Sequence, residues 1–320
     1  MEDVHRFEIP TPFDVGRVNC YAFVGDRLTL LDPGPATGEA YDALSAGLES
    51  LGFAVTDVDQ ILVTHPHMDH FGLAARIVRE SDAHVHAHRD AVKPLSDPLG
   101  HFRCEQVFFR PFLRRMGAPA EIVESAVSLP EAYTDYQDPL AVDYELTDGE
   151  SVEAEVELTA VHTPGHSPGS ICFVAAANAV AFTGDHVLPH ITPNPLLTIA
   201  PDTESERTRS LPTYLDSLHK ITDVNVDIGW GGHGKSMPNL SERVRATIDH
   251  HLSRKERIAD IVGKTGPTTA YQVMQVMFPD LPATEVFPGM SEVIGHLDLL
   301  EDEDRVDITE REGYRQYTLR

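Results

Sequence analysis

Lysine is scarce in this chain, and positive charge of any kind is outnumbered. The 320 residues contain 51 Asp and Glu against 25 Lys and Arg, of which five are Lys, and the formal net charge is −26. Such a surface repels phosphate groups, so we expect nucleic acid to be an unfavourable partner. Molar salt weakens that exclusion, because it screens repulsion and attraction alike. The Lys-poor, acidic composition is typical of proteins of halophilic archaea, and we predict a source of that kind.

Cysteine and long apolar runs are also sparse. Cys20, Cys104 and Cys172 show no paired spacing, so we expect reduced thiols and a cytoplasmic location. No run of about 18 apolar residues occurs, which excludes a membrane-spanning helix, and the first residues do not resemble a signal peptide. The apolar fraction of 41% is ordinary for a soluble globular protein.

The most informative stretch places four metal-binding side chains within six residues: His65, His67, Asp69 and His70. The apolar residues 60–63 before them predict a buried strand, and apolar residues at helical spacing follow, so the four lie on a strand-to-helix loop. Alternating His65 and His67 can converge on one ion, while Asp69 and His70 can reach a second. Imidazole and carboxylate ligands suit metals such as zinc. A His-rich turn without metal is the alternative, which this spacing disfavours.

The pattern His-x-His-x-Asp-His resembles the signature of the metallo-β-lactamase superfamily, in the two-metal subset that includes glyoxalase II and the tRNA 3′-processing endonucleases. The resemblance implies further ligands, and the chain has matching motifs in the family's order: Thr-Pro-Gly-His ending at His166, Thr-Gly-Asp ending at Asp185, and Gly-His-Gly around His233. It also implies that Asp32, in Asp-Pro-Gly, orients a His ligand, although an ordinary turn residue is the alternative. The implied ligand sets are His65, His67 and His166 for one metal, and Asp69, His70 and His233 for the other, with Asp185 bridging both.

The resemblance further implies two divalent metal ions, with zinc favoured and manganese or iron as alternatives. A hydroxide that bridges the metals would be the nucleophile, and Asp69 and Asp185 would be the catalytic carboxylates. We therefore predict a metal-dependent hydrolase of a small-molecule ester, thioester or lactone, with an anionic substrate favoured. The alternatives are a single-strand endoribonuclease and a mononuclear-iron sulfur dioxygenase. A diiron redox site in this fold normally has Glu where His67 stands, so the residue at this position counts against a redox protein.

The implied fold is α/β, an αββα sandwich of two mixed sheets with helices outside. We assign residues 1–240 to this catalytic domain. Within it, the Pro-rich and aromatic residues 89–145 predict an inserted helical lid made of short pieces. Residues 241–320 predict three helices and a hairpin, which resemble a winged helix. The acidic run at residues 301–304 argues against a nucleic-acid groove there, so a packing role or a homodimer contact is favoured.

The lid segment also carries a basic cluster in this acidic chain. Arg103, Arg110, Arg114 and Arg115 lie within 13 residues. Arginine matches the geometry of phosphate and carboxylate, so Arg110, Arg114 and Arg115 are candidate substrate-binding residues. A solvated helix face paired with local acidic residues is an equally good interpretation.

Local patterns add details that a structure can check. Alternation over residues 152–158 predicts one strand, and residues 224–228 predict another. Ser241 is the predicted N-cap of the first C-terminal helix. The third C-terminal helix is predicted over residues 293–300.

Overall fold

A computed structural model describes residues 3–128, 135–203 and 205–320 of the chain. Met1, Glu2, Glu204 and residues 129–134, the last within the predicted lid, lie outside the described residues. The described residues form a six-stranded sheet and a five-stranded sheet packed face to face, with helices on both outer faces. The predicted αββα architecture is therefore confirmed. No helix in the described part of the chain is long and apolar enough to cross a membrane.

The first sheet has its strands in chain order. The first two pairs, β1–β2 and β2–β3, are antiparallel, and the remaining pairs are parallel. Its strands are β1 Val4–Ile9, β2 Val18–Val24, β3 Leu28–Leu31, β4 Val58–Leu62, β5 His84–His88 and β6 Tyr144–Leu146. Since β6 begins at Tyr144, the sheet resumes just before the predicted end of the lid at residue 145.

The second sheet has the order β11-β10-β9-β8-β7 and is antiparallel except for the pair β10–β11. Its strands are β7 Ser151–Glu153, β8 Glu157–His162, β9 Ile171–Ala175, β10 Val180–Gly184 and β11 Ile228–Gly231. Two strand predictions were wrong here. Residues 152–158 form a tight hairpin in which Val152 pairs with Leu158, and β11 begins at Ile228 rather than at residue 224.

Apolar side chains hold these layers together. Residues from both sheets, among them Phe23, Leu62, Phe173 and Phe182, form the layer between the sheets. The outer face of the first sheet packs on two helices, and that of the second sheet packs on a third helix and on the start of a long C-terminal one. The helices of the described residues before the C-terminal segment are α1 Gly38–Ser50, α2 Met68–Phe71, α3 Ala74–Ser81, α4 Val92–Ser96, α5 Pro98–Arg115, α6 Ala120–Ser128 and α7 Ser210–Asp223.

The lid segment is helical, but it is less broken than its prolines predict. Helix α5 starts with Pro98, where a proline is well tolerated, and it continues through Pro111. Its buried residues Phe109 and Leu113 join one hydrophobic core with α6 and with the C-terminal helices. The lid segment therefore packs on the C-terminal segment through a shared core.

The C-terminal segment has the three predicted helices and the hairpin, with different bounds. Its elements are α8 Leu240–Thr265, α9 Ala270–Met277, α10 Val286–Asp302, β12 Val306–Arg311 and β13 Tyr314–Leu319. Helix α8 is capped by Asn239, whose side chain accepts from the Glu242 amide at 3.1 Å, so the prediction of Ser241 as cap was wrong. The predicted third helix, residues 293–300, is only the middle of α10.

The acidic run of residues 301–304 is neutralised within the chain. Glu301 pairs with Arg315 at 3.1 Å, and Asp302 pairs with Arg209 at 2.7 Å. Glu303 contacts Lys255. These ion pairs tie the end of α10 to its neighbours.

Candidate metal centre

The predicted ligands, and Asp32 with them, all follow the C-terminal ends of strands. Asp32 follows β3, the His65 loop follows β4, and His166 lies beyond β8. Asp185 and His233 follow the parallel strands β10 and β11. The loops meet at one edge of the sandwich, and this explains how residues more than 160 positions apart reach one site.

The structure brings the predicted ligand sets together as two clusters. One ligand atom each from His65, His67 and His166 lies within 4.8 Å of the others. Asp69, His70 and His233 form a second cluster within the same limit.

The carboxylate of Asp185 lies between the two clusters. Its Oδ1 is 3.4 Å from His70 Nε2, and its Oδ2 is 3.6 Å from His233 Nε2 and 3.8 Å from His166 Nε2. Because Oδ2 lies near a ring nitrogen of each cluster, the carboxylate is within reach of both.

One nitrogen of each of two histidines, His65 and His70, is fixed by a neighbour. His70 Nδ1 donates to Asp32 Oδ2 at 2.9 Å, and the Thr64 hydroxyl donates to the same carboxylate at 2.6 Å. Because that hydroxyl has already donated its proton, it accepts from His65 Nδ1 at 3.0 Å. The Nε2 atoms of His65 and His70 are then left with lone pairs for a metal. Asp32 therefore lies where the sequence placed it, against a predicted His ligand.

In His166 and His233, a backbone carbonyl fixes one ring nitrogen by accepting its hydrogen bond. His166 Nδ1 donates to the Asn194 carbonyl at 3.0 Å, and His233 Nδ1 donates to the Arg17 carbonyl at 2.8 Å. His67 Nδ1 lies 2.9 Å from His166 Nε2. Sequence reasoning missed Asn194 and Arg17, because a carbonyl acceptor carries no signal in residue type.

The residues present fit a pair of metal ions. Buried atoms that lack a hydrogen-bond partner within the described part of the chain include His65 Nε2, His70 Nε2, His233 Nε2 and Asp185 Oδ1. An unpaired buried polar atom costs about 1–3 kcal/mol, so four in one place indicate a missing common partner. A metal ion fits that role, because rings that donate through Nδ1 and an ionised carboxylate present lone pairs to it.

The pKa values of the histidines shift in different directions in the two clusters. Burial lowers the pKa of His67 to about 3, and it lowers the pKa of His65 and His166 as well, so these rings are neutral at pH 7. Burial also disfavours charge on His70, yet the carboxylates around it, first that of Asp185, raise its pKa well above the ordinary value. The second cluster thus carries enough negative charge to hold a cation in place of that proton.

A glycine permits this close packing. A Cβ atom on Gly232 would lie 2.5 Å from Asp185 Oδ1 and 2.6 Å from the His70 ring. Any side chain there would displace both groups, so the Gly-Gly-His sequence is a steric requirement of the site.

Two cavities open beside the clusters and share part of their lining. The first has a volume of about 370 Å³ and is lined by His67 and Asp69 together with aromatic residues of the lid segment and α10. The second has a volume of about 610 Å³ and is lined by His67, by charged residues near the start of the lid segment and by residues 196–203. The loop of residues 188–201 thus contributes Leu196 to both cavities and residues 197–201 to the second.

The arginines that were predicted to bind the substrate do not line either cavity. Arg110 and Arg114 each bind Glu124 at 3.1 Å, and Arg115 Nε binds Glu310 at 2.9 Å. Among the described residues that line the two cavities, none is Arg103, Arg110, Arg114 or Arg115. The contacts favour the alternative interpretation, an exposed helix face paired with acidic residues.

Replacing Arg114 and Arg115 together by Gln should therefore leave substrate binding almost unchanged. We expect KM to change less than about twofold for an anionic and for a neutral substrate, with a stability loss of up to about 1 kcal/mol per exposed pair. Steady-state kinetics on a matched substrate pair tests this. A tenfold rise of KM for the anionic substrate alone would show instead that these arginines bind the substrate.

Asp32→Asn should weaken metal binding without unfolding the protein. Asparagine tolerates the left-handed backbone at this position, φ 54°, but it has one acceptor oxygen. The carboxylate uses two, because Oδ2 accepts from His70 and the Thr64 hydroxyl while Oδ1 accepts from the Thr64 amide. Loss of such an orienting partner typically costs about 10–100-fold in metal affinity. Competition with a chromophoric chelator measures it, with the exposed Asp26→Asn as matched control. Equal affinities for the two variants would contradict the orienting role.

Comparison with known proteins agrees with this geometry. The sequence model of the Metallo-beta-lactamase superfamily matches residues 13–233. The chain belongs to that superfamily. It is similar to a protein of Bacillus subtilis (strain 168) named "Probable metallo-hydrolase YqjP", with 29% identity over 305 residues that make up 95% of this chain and 94% of that protein. Together these support a metal-dependent hydrolase.

Solved structures extend the likeness through the C-terminal segment. The crystal structure of a metallo-beta-lactamase family protein from Thermus thermophilus matches with a TM-score of 0.82 and 26% identity, over 100% of this chain and 99% of that one. Among curated proteins, an atrochrysone carboxyl ACP thioesterase of Aspergillus fumigatus is 28% identical over 150 residues, which are 43% of this chain and 44% of that protein.

Proposed function

We propose that this superfamily member is a dinuclear-metal hydrolase that cleaves a small-molecule thioester, ester or lactone. The observation that carries the proposal is the convergence of seven predicted ligands, several with unpaired lone-pair atoms, beside a cavity that can hold a substrate. His65, His67 and His166 would hold one ion, and Asp69, His70 and His233 the other. Asp185 would contact both.

Zinc is the metal that we favour. Five imidazoles and two carboxylates form a donor set that zinc accepts readily, whereas magnesium and calcium prefer oxygen ligands alone. Manganese and iron stay as alternatives. When bound, the two ions would activate a water molecule at neutral pH and polarise the carbonyl of the substrate.

The chain's own residues position the reaction. His67 and Asp69 line the first cavity and His67 also lines the second, so the scissile bond would lie beside these two residues, where the cavities meet. The Asp69 carboxylate, 3.3 Å from His233 Nε2, would help to hold an ion with that ring and could accept a proton from a water molecule that the ions activate. The hydrogen bonds from His70 to Asp32 and from His233 to the Arg17 carbonyl keep both rings from turning during the reaction.

Thioesters are the favoured substrate class within the proposal. The Aspergillus relative is named a thioesterase, although the chain matches less than half of its length. The endoribonuclease alternative would need a basic face, and the acidic run before the terminal hairpin is instead paired within the chain. Residues 241–320 are therefore proposed as a winged-helix-like packing element.

An activity panel tests the proposal. Metal-loaded protein is offered acyl-CoA and glutathione thioesters, lactones, a cephalosporin, a bis-phosphodiester and single-stranded RNA, and oxygen uptake is followed with a persulfide. We expect chelator-sensitive hydrolysis of a thioester, ester or lactone. Cleavage confined to RNA, or oxygen uptake without hydrolysis, would replace the proposal by the corresponding alternative.

A further inference from the structure

We infer that the first cavity is an acyl-binding chamber, which takes an uncharged hydrocarbon chain on the acyl side of the scissile bond. This inference rests on the proposed thioester or ester hydrolysis and specifies its substrate. The chamber is formed jointly by the lid segment and the C-terminal segment, and it ends at His67 and Asp69.

The walls of the chamber are apolar and come from parts of the chain distant in sequence. Phe102 and Phe109 on α5, Val127 on α6 and Phe287 on α10 are among the residues that line it. The rings of Phe109 and Phe287 lie 5.1 Å apart, edge to face. Phe109 is almost fully buried, so this wall is held by the shared core of the lid and C-terminal segments.

The charges around the chamber exclude an anionic chain end. Its ionisable described lining residues are His67, Asp69, Glu105 and Glu285, and no Lys or Arg is among them. A carboxylate at the end of the acyl chain would lose its water beside these acids without gaining a counter-charge, which is costly. Burial raises the pKa of Glu105 to about 7, so this side chain also tolerates an apolar neighbour. The general expectation of an anionic substrate therefore does not extend to the acyl end.

Size assigns the two halves of the substrate to the two cavities. The chamber, at about 370 Å³, is the smaller, and the second cavity, at about 610 Å³, is lined by polar groups such as Arg89, Lys93 and Asp202. A large polar leaving group fits the second cavity better than the first. His67, Phe102 and Phe287 line both cavities, so a substrate can pass from one to the other across the metal-facing edge.

A chain-length series on the metal-loaded full-length protein tests the inference. Linear acyl thioesters from two carbons upward are compared with one constant thiol, and the thiol is varied in a second series with one constant acyl group. Each methylene that enters the chamber should raise kcat/KM about fourfold. If each carbon of the chain occupies about as much space as a water molecule, roughly 30 Å³, the rise should stop at on the order of ten carbons. A terminal carboxylate should cancel the gain.

Two variants locate the effect. Ala126→Phe fills the chamber from α6 and should stop the rise at shorter chains, while Phe287→Ala opens it and should move the limit to longer ones. Thr203→Phe adds similar bulk to the second cavity only and should leave the acyl preference unchanged. If Ala126→Phe does not fold, the wild-type series and Phe287→Ala still decide the matter.

The outcomes separate this inference from the proposed function. Hydrolysis that is independent of acyl length, or that depends on the length of the thiol instead, would overturn the chamber and leave the hydrolase intact. A preference for a carboxylate-ended chain would also overturn it. Absence of hydrolysis for every ester, thioester and lactone would overturn the proposed function and the inference together.

Discussion

Replacing Asp185 by Asn should lower kcat/KM by at least about a thousandfold, which corresponds to about 4 kcal/mol of transition-state stabilisation. The carboxylate lies within 3.4 to 3.8 Å of ring nitrogens from both ligand clusters, so its loss disturbs two sites at once. The amide nitrogen of Asn cannot act as a ligand, and only one oxygen remains to serve both ions. Elemental analysis and kinetics on the same preparation measure the two effects.

The matched control for this variant is Asp202→Asn. Asp202 is an exposed carboxylate that lines the second cavity without belonging to either cluster, and its replacement should leave the metal content unchanged. Full activity and full metal content in Asp185→Asn would mean that the carboxylate is not a bridging ligand.

Removal of residues 241–320 should prevent the rest of the chain from folding, and not merely release a separable module. The buried lid residues Phe109, Leu113 and Val123 share one core with α8, α9 and α10, and this core would be opened to water. The Tyr271 amide also donates to the Met116 carbonyl at 3.1 Å. We expect the truncated chain to be insoluble or inactive, as judged by soluble yield and circular dichroism.

A pair of point variants checks the same shared core in the intact chain. Leu297→Ala, at a fully buried position of α10, should reduce the free energy of unfolding by about 2–5 kcal/mol, whereas the exposed Leu252→Ala should change it by less than about 0.5 kcal/mol. A truncated protein that folds and keeps its activity would contradict the account of the C-terminal segment.

The candidate metal ligands were predictable because their signal is local. Residue type and spacing identify His65, His67, Asp69 and His70. The family resemblance adds His166, Asp185 and His233, which lie in compact motifs after strands. The position of Asp32 also followed from the resemblance. The carbonyls of Arg17 and Asn194 were not predictable, because any residue can supply a carbonyl and only the folded chain brings it to a ring nitrogen.

The errors in the predicted elements have simple physical causes. Alternation continues through the β7–β8 hairpin because Val152 and Leu158 face the same core from paired strands. Asn239 and Ser241 are both good capping residues, and residue type alone is no reason to prefer the first. The core shared by the lid and C-terminal segments depends on contacts between residues more than 100 positions apart, which no local pattern records.

Metal titration of the stripped protein tests the central claim most directly. The protein is freed of metal with a chelator, zinc is added in known equivalents, and thioester hydrolysis and bound metal are followed together. The account predicts that activity rises until two equivalents per chain are bound, one for each ligand cluster. Full activity at one equivalent with no second ion bound, or equal activity without metal, would contradict it.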